Sequence, residues 1–447
     1  AIGSEAYRKG YVTAKVGQWA AEVRCLSLVA KVQPHAAHAL LVHGLRHRWT
    51  FIQRCMGDVE GAFDELESVL RSDFIPSLFG DGEAISDRDR DIYGLPSRVG
   101  GLSIDNPAEG VAGKHADSVE LTLPVQEAIL AGGGRVDMTS LKRARDAIRN
   151  RRELAVEVRA KEVQDSLPKD CNGRDGKLCT ALKVACEKGA SVVFSVRPSE
   201  EHGFSFKAKR DYRDLLAMRY AKGVKGFPAI CACGKANSIS HSQQCVMGGF
   251  VGQRHNEVAN LWGYTCKKVY NDVGVEPELE ELDSEEMERK TANVTDEARS
   301  DVRVRGFWSN RRNAFFDFRV FYPFASSHYG RSLAAIYKSN SLEKKRQYQE
   351  RVAQVEDGSF TPMVMSSAGG MGPEMTIAFK FLAARLAEKE GGNYASTVGV
   401  LRTRFSFAAA RSALVCLRGS RALFASRNYR RNVGDYDAPI ALVASGI

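Results

Sequence analysis

The sequence predicts a multidomain α+β protein with an N-terminal all-α region, a small cysteine-rich knuckle and a C-terminal α/β region. In the last region, helices are expected to flank a short mixed sheet. Three observations predict this. Apolar residues recur at three- and four-residue steps over 5–75, which is the helical period. A short loop within 229–250 carries three cysteines and a histidine. Alternating apolar and polar residues, which indicate strands, follow only after residue 300.

Each predicted element rests on periodicity and on the residues that end it. Pro34 interrupts the first helical run, because proline lacks an amide proton and clashes with the preceding turn. Ser140 is the expected N-cap of a helix without glycine or proline before Leu167. The predicted helices lie within 5–75 and at 140–167, 207–222, 254–270, 331–355, 373–390 and 397–426, and the predicted strands at 301–307, 314–322 and 360–367. Residues 168–200 are expected to be irregular.

Breaks in composition divide the chain into five expected regions. The glycines of AGGGR at 131–135 are typical of a boundary. Eight Lys and Arg in 142–161 make the following region basic. The expected regions are a helical region at 1–130, a basic helical linker at 131–228, the knuckle at 229–250, an α/β domain at 251–430 and a tail at 431–447. Because the chain opens on Ala1 without a methionine, we expect a fragment of a longer reading frame.

Charge and cysteine usage indicate the kind of partner and compartment. The chain carries 64 Lys and Arg against 54 Asp and Glu, a net charge of +10, which favours DNA or RNA as a polyanionic partner. Ten cysteines in 447 residues are too sparse for a disulfide scaffold, so a reducing, intracellular compartment is expected. No uncharged apolar stretch has the length of a membrane helix. Neither a membrane nor a small-molecule substrate is expected as a partner.

The cysteine cluster has the composition of a zinc site. Its spacing is Cys231-x-Cys233-x7-His241-x3-Cys245. Three thiolates and one imidazole form a complete tetrahedral ligand set for Zn²⁺, and the short spacings let one loop wrap the ion. The first spacing is one residue shorter than usual, so His255 remains an alternative ligand. The other reading is that these are unrelated buried thiols.

Two acidic residues in the predicted hairpin form a second candidate metal site. Positions Asp301 and Asp317 are symmetric about Ser309 in the turn, so antiparallel pairing would place their Cβ atoms about 5 Å apart. Two carboxylates that close repel each other unless a proton or a divalent cation lies between them, and oxygen ligands suit Mg²⁺ or Mn²⁺. Glu257 is a plausible third ligand, and Lys344 could orient a water molecule. Alternatively, both carboxylates are solvated surface groups.

Arginines near the C-terminus form a candidate surface for nucleic acid. Arg404, Arg411 and Arg418 recur every seven residues, so they share one helix face, and Arg421 lies one turn further on. Arg254, which follows the knuckle, is expected to bind nucleic acid as well. The alternative is the solvated outer face of an amphipathic helix.

The order of these motifs resembles the C-terminal region of retrotransposon polyproteins, specifically early-branching non-LTR elements. The C-terminal motifs are the CCHC knuckle, Arg254-His255-Asn256-Glu257, Val275-Glu276-Pro277, Asp301, Asp317-Phe-Arg-Val and Lys344-x3-Tyr348. The N-terminal motifs are AIGSEAY, KVGQW at 15–19, QPHAAHALLVHGL at 33–45 with RW at 48–49, and LPSRVGGLSI at 95–104. Region 1–130 thus resembles a reverse-transcriptase thumb, and region 251–430 resembles a restriction-endonuclease-like domain of the PD-(D/E)XK type.

The resemblance implies roles for the acidic pair and its neighbours. Asp301 and Asp317 would be the nuclease acids, with Glu257 and Lys344 assisting. The expected function is a Mg²⁺-dependent endonuclease that nicks DNA for target-primed reverse transcription in the nucleus, with a polymerase domain upstream in the same polyprotein. The alternative is a catalytically decayed module that only binds nucleic acid through thumb, knuckle and basic helix.

Two positions depart from the pattern of that family. Ser300 precedes Asp301, where a proline is usual, and Arg319 stands where an acid-x-Lys motif has its lysine. Because arginine does not exchange a proton as lysine does, its role would pass to Lys344. The paired aspartates of the polymerase, in a Tyr/Phe-x-Asp-Asp hairpin, are absent from the sequence, so no DNA synthesis is expected.

Overall fold

The chain forms two units in a computed structural model, each with its own set of helices. The structure describes residues 3–419 except 60, 81, 83, 134, 168–173, 207 and 281–297. The N-terminal unit comprises 1–183, 194–198 and 205–222, and the C-terminal unit comprises 184–193, 199–204 and the chain from residue 223 onward. Within the described part, the protein is mixed α/β and mostly helical, with a small four-stranded mixed sheet. None of its described helices is long and apolar enough to cross a membrane.

Helices account for nearly all regular structure before residue 223. They are α1 (Glu5–Val32), α2 (Pro34–Leu40), α3 (Arg46–Cys55), α4 (Asp64–Val69), α5 (Ile75–Phe79), α6 (Asp87–Gly94), α7 (Val111–Leu130), α8 (Met138–Asp165), α9 (Arg174–Ala185) and α10 (Lys209–Arg219). Short π-helical segments, Leu41–Leu45 and Leu70–Phe74, join α2 to α3 and α4 to α5. The predicted interruption at Pro34 is confirmed, because this residue begins α2.

Two sequence-based predictions in this unit were wrong. Residues 168–200 were expected to be irregular, yet α9 lies among them. The N-cap of α8 is Asp137 rather than Ser140: its carboxylate accepts hydrogen bonds from the Thr139 amide at 2.9 Å and the Ser140 hydroxyl at 2.6 Å. Aspartate and serine are equally good caps, and the aspartate comes first along the chain. The helix α7 was not predicted.

A buried histidine joins three parts of the N-terminal unit. His38 on α2 donates from Nε2 to the carbonyl of Leu102 at 2.8 Å, and its Nδ1 accepts from the hydroxyl of Tyr212 on α10, also at 2.8 Å. Both partners suit the neutral ring with its proton on Nε2. Burial lowers the pKa of His38 to about 4, since no carboxylate compensates for a buried imidazolium.

We therefore expect the N-terminal unit to lose stability as the pH falls from 6.5 towards 4. In this range His38 is protonated in the unfolded state but neutral in the folded state. The loss should reach about 3 kcal/mol, and His38→Gln, whose amide can keep both hydrogen bonds, should remove it. An NMR titration should find the imidazole neutral down to about pH 4. A transition near pH 6.5 would contradict this account.

The C-terminal unit is built around the sheet. Its strands are β1 (Val273–Val275), β2 (Val302–Arg305), β3 (Asn313–Phe321) and β4 (Ser359–Ser366), and its helices are α11 (Ile239–Ser242), α12 (Phe250–Lys267), α13 (Leu333–Gln354), α14 (Pro373–Glu390) and α15 (Tyr394–Arg418). The strand order is β1-β2-β3-β4, with β1, β2 and β3 antiparallel and β4 parallel to β3. The crossover from β3 to β4 contains α13. The predicted hairpin, α13, β4 and α14 are confirmed, whereas β1 was not predicted.

Helices cover both faces of β3. Phe316 and Phe318 face one core, where their rings lie 5.3 and 6.4 Å from the ring of Trp262 on α12. Phe315 and Phe321 face the other side and pack against α13. A strand buried on both faces is typical of a sheet between helix layers. The residues of one strand face therefore meet α13 directly, and Asp317 is one of them.

Candidate metal centre and active site

The knuckle brings the four predicted zinc ligands together. Cys231 and Cys233 lie in a tight turn, which Gly234 continues at a φ of +84°. In this turn the Gly234 amide donates to the Cys231 carbonyl at 2.8 Å. The one-turn helix α11 carries His241, and the Cys245 amide donates to the His241 carbonyl at 2.8 Å. A turn and a helical turn thus present two ligands each.

The distances between ligand atoms fit a tetrahedral zinc ion. The four ligand atoms all lie within 4.8 Å of one another. Sγ of Cys231 lies 3.9 Å from Sγ of Cys245, and Sγ of Cys233 lies 3.3 Å from Nε2 of His241. Tetrahedral Zn²⁺ with its usual bond lengths requires separations of about 3.8 Å between two sulfurs and about 3.6 Å between sulfur and nitrogen. The residues therefore fit zinc, in the combination predicted from their spacing.

A buried arginine joins the knuckle to the sheet. Gln243, inside the knuckle, donates to the carbonyl of Ala413 on α15 at 2.8 Å. Arg254, on the first turns of α12, donates to the backbone and side-chain oxygens of Gln243 at 3.1 and 3.2 Å and to the carbonyl of Val320 on β3 at 3.4 Å. With 3% of its surface exposed, Arg254 is a structural link.

The structure corrects the surface position expected for Arg254 and Arg404. Both are buried, because α12 and α15 pack against each other and against α14 and the sheet. Arg404, one of the arginines that recur every seven residues along α15, therefore lies inside the unit and not on a solvated face. A guanidinium enclosed in this way is not available to a phosphate.

The remaining arginines of the expected stripe also contact the protein itself. Arg411 donates to the carbonyl of Gly203. Arg418 donates to the carbonyl of Lys225 at 2.8 Å. Arg421 lies outside the described residues. In the described part of α15, these side chains hold neighbouring backbone segments in place.

The acidic pair lies where the predicted register puts it. Val302 of β2 pairs with Phe316 of β3, so the next position outward sets Asp301 opposite Asp317. Ser300, where the resemblance has proline, is buried, and its hydroxyl donates to the carbonyl of Phe316 at 3.0 Å. This hydrogen bond holds the backbone before Asp301 against β3, which the rigid ring of proline cannot do by the same means.

Asp317 is a buried carboxylate with a lysine against it. It is 3% exposed, and its Oδ2 lies 2.5 Å from Nζ of Lys344 on α13. Burial, and after it the negative charge of Asp301, raises the pKa of Asp317 to about 6, although Lys344 acts in the opposite direction. Burial and the neighbouring carboxylate therefore outweigh the effect of one lysine on this group.

The position of Lys344 follows from matched repeats in β3 and α13. Two strand residues advance roughly 6.6 Å and four helical residues roughly 6 Å, so side chains on facing elements stay in step. Nε of Arg319 donates to Oδ1 of Asn340 at 3.3 Å, and one repeat further along Lys344 contacts Asp317. Lys344 rather than the exposed Arg319 therefore contacts the acid, and the transfer of the basic role to Lys344 stays a prediction.

Asp301 has a partner that sequence reasoning missed. Nε2 of His255, on α12, lies 2.9 Å from its Oδ1, and the amide of Phe318 donates to its Oδ2. His255 was the alternative zinc ligand, but the structure places it on the acidic pair. The one signal in the sequence for this position of His255 is that it lies on a predicted helix after the knuckle rather than in the knuckle loop. Glu257 is half-buried two positions later, roughly 200° around α12, and its role stays a prediction.

Comparison with known proteins adds no family to these observations. The sequence matches none of the protein-family models and none of the curated proteins with which it was compared.

Removing zinc ligands should abolish metal binding without unfolding the whole chain. Elemental analysis of the purified protein should find about one zinc per chain, and Cys233→Ser/Cys245→Ser should lose it. The matched control is Cys25→Ser/Cys55→Ser, which replaces two exposed cysteines elsewhere. Retention of zinc in the first variant, or its loss in the control, would contradict the ligand assignment.

Metal-free protein should become less stable around Asp317 as the pH rises from about 4 to about 6. The folded pKa of about 6 exceeds the ordinary 3.8, so the folded state binds more protons in this window and loses that advantage as the group ionises. The effect is at most about 3 kcal/mol. This loss can be measured by hydrogen exchange of the β3 amides. Their protection in wild type, divided by their protection in Asp317→Asn, should fall as the pH rises through this window. A constant ratio would show that Asp317 is not titrating there.

Proposed function

We propose that the chain is the C-terminal part of a retrotransposon reverse transcriptase polyprotein and that its C-terminal unit is a metal-dependent endonuclease that nicks DNA. The observation that carries this proposal is the convergence of Asp301, Asp317 and Lys344 beside β3, an interior strand of a helix-flanked mixed sheet. The hairpin symmetry singled out Asp301 and Asp317 in the sequence, and the motif order added its support to both acids and to Lys344. A second support is the fit of the CCHC knuckle to zinc within this unit, immediately before α12.

The acidic pair has the chemistry of a divalent cation site. Each carboxylate oxygen has two acceptor positions, so the contacts of Asp301 with His255 and Phe318 leave room for a ligand. The raised pKa of Asp317 has burial as its first cause and the charge of Asp301 as its second, and a bound cation would favour the ionised form against both. Mg²⁺ or Mn²⁺ bound there would supply charge neutralisation and an activated water for attack on a phosphodiester. Zinc would remain in the knuckle as a structural ion.

Residues of the chain itself would bind the cation, stabilise charge on the phosphate and orient the carboxylates. Asp301 and Asp317 hold the charge that fixes a cation, and the buried position of Asp317 keeps bulk water from screening it. Lys344 carries a positive charge beside them that can stabilise negative charge developing on the phosphate. His255 fixes the orientation of the Asp301 carboxylate through Oδ1.

A second function, a nucleic-acid-binding module without cleavage, is favoured by one observation. Among the residues that the structure describes, the knuckle is the one group of three or more cysteine, histidine or acidic side chains close enough to share an ion. In this alternative, the contacts with Lys344 and His255 satisfy the acidic pair without a metal ion. The two functions differ in whether cleavage depends on the acids.

Substitution of the acidic pair decides between them. Nicking of supercoiled plasmid in Mg²⁺ or Mn²⁺ should fall by several orders of magnitude in Asp317→Ala, while DNA binding persists because like-charge repulsion is removed. Lys344→Ala should cost on the order of 10²–10³ in rate, as expected for one electrostatic donor.

Arg319→Ala is the matched control, because Arg319 lies on the same strand face but contacts Asn340 rather than the acids. It should retain most of the activity. If Arg319 proves as necessary as Asp317 while Lys344 is dispensable, the basic group has been misplaced. If nicking survives Asp301→Ala/Asp317→Ala, the binding module is the better description.

A further inference from the structure

A groove in the N-terminal unit is lined by arginines from three separate elements. Its volume is about 330 Å³. The arginines are Arg54 on α3, Arg98 in the turn at 97–99, and Arg145, Arg149 and Arg152 on α8. Two acids, Asp117 and Glu153, also line it. So many guanidinium groups around one concavity create a strongly positive potential, which low-dielectric walls concentrate.

The acids of the unit compensate only part of this charge. Arg152 pairs with Asp117 at 2.6 Å, and Arg149 pairs with Asp146 at 3.2 Å. Within the residues that the structure describes, the side chains of the other three arginines form no ion pair or hydrogen bond. Arg54 has a local role, since it lies in the last turn of α3, where a cation offsets the helix dipole. No such role accounts for the other two.

The turn that presents Arg98 is fixed from below. Nη2 of the buried Arg219 donates to the carbonyl of Ser97, the residue before Arg98, at 2.8 Å. The hydroxyl of the buried Tyr220 donates to the carbonyl of Gly100 at 3.0 Å. A Cβ atom on Gly101 would lie 1.8 Å from the carbonyl oxygen of Leu95, so the turn tolerates only glycine there. The fold thus holds an exposed arginine in a defined place. This turn belongs to the LPSRVGGLSI segment, which the proposed nuclease does not use.

Between the arginines the groove has an apolar floor. Leu121, Ile148 and Val156 supply it, from α7 and α8. We propose that this groove binds a single strand of nucleic acid, with backbone phosphates on Arg54, Arg98 and Arg145 and sugar or base surfaces on the floor. Guanidinium groups bind phosphate oxygens through paired hydrogen bonds. A strand outside a duplex can place unpaired bases against an apolar surface, whereas the bases of a duplex are stacked inside it.

Charge substitution in the groove tests this assignment. The probes are labelled single-stranded RNA and DNA oligonucleotides of equal length and mixed sequence, in EDTA so that no cleavage occurs. For Arg54→Gln/Arg98→Gln/Arg145→Gln, three lost phosphate contacts should lower the slope of log affinity against log salt by about two. Affinity near 0.15 M salt should then fall roughly 10- to 50-fold on both probes, because both share the phosphate backbone.

The matched control is Arg143→Gln/Lys161→Gln/Lys183→Gln. These side chains are exposed in the same unit and remove the same charge, but they do not line the groove. An equal loss in the control, or an unchanged slope in the groove variant, would overturn the proposal. So would an equal loss on a duplex probe. Arg98→Gln alone should produce about a third of the slope change, which provides a reading if the triple variant folds poorly.

This inference shares the nucleic-acid partner with the proposed function but does not depend on cleavage. If wild-type protein fails to nick DNA while the groove variant loses affinity, the nuclease proposal fails and the groove stands. If the groove variant binds normally while Asp317→Ala abolishes nicking, the opposite holds.

Discussion

The C-terminal unit is organised by the burial of one carboxylate. Asp317 lies in the middle of β3 and is 3% exposed, in a strand with helices on both faces. A buried charge is tolerated only where neighbouring groups compensate for it. The ammonium of Lys344 at 2.5 Å provides part of this compensation, so the position of α13 along the strand is set by charge as well as by apolar packing. Sliding α13 by one turn would leave both groups buried without their partner.

The parts of the site that could be predicted are those whose residues lie close together in the sequence. The pairing of Asp301 with Asp317 follows from local symmetry about a hairpin turn, which period-two alternation reveals in the sequence. The zinc ligands are likewise local, since they lie within fifteen consecutive residues, 231–245. The position of Lys344 came from motif order, and its contact needed the matched repeats of strand and helix. Local elements with strong periodicity, such as α14 and the hairpin, were predicted almost to the residue.

What the sequence did not reveal depends on contacts between distant segments. Arg254 reads as a surface cation, yet the packing of α12 encloses it between Gln243 and Val320. Arginine periodicity on α15 likewise suggests an exposed face, but Arg404 is buried, and Arg411 and Arg418 are half-buried against backbone carbonyls. Burial of a cation depends on whether backbone carbonyls happen to face it, and no sequence period encodes that. The helix α9 was missed because its sequence has no strong apolar stripe.

The knuckle and the strand that carries Asp317 are connected through Arg254. Its guanidinium contacts Gln243, which lies between two zinc ligands, and also the carbonyl of Val320, three residues along β3 from Asp317. Gln243 is in turn bound to α15. The folded knuckle therefore keeps a buried guanidinium in place against the strand that carries Asp317. Opening the knuckle would leave that cation without two of its acceptors, an unfavourable state for a buried guanidinium. The order of the chain, with the knuckle immediately before α12, thus has a structural reason: the knuckle supports the helix that brings His255 to Asp301 and Arg254 to the backbone of β3.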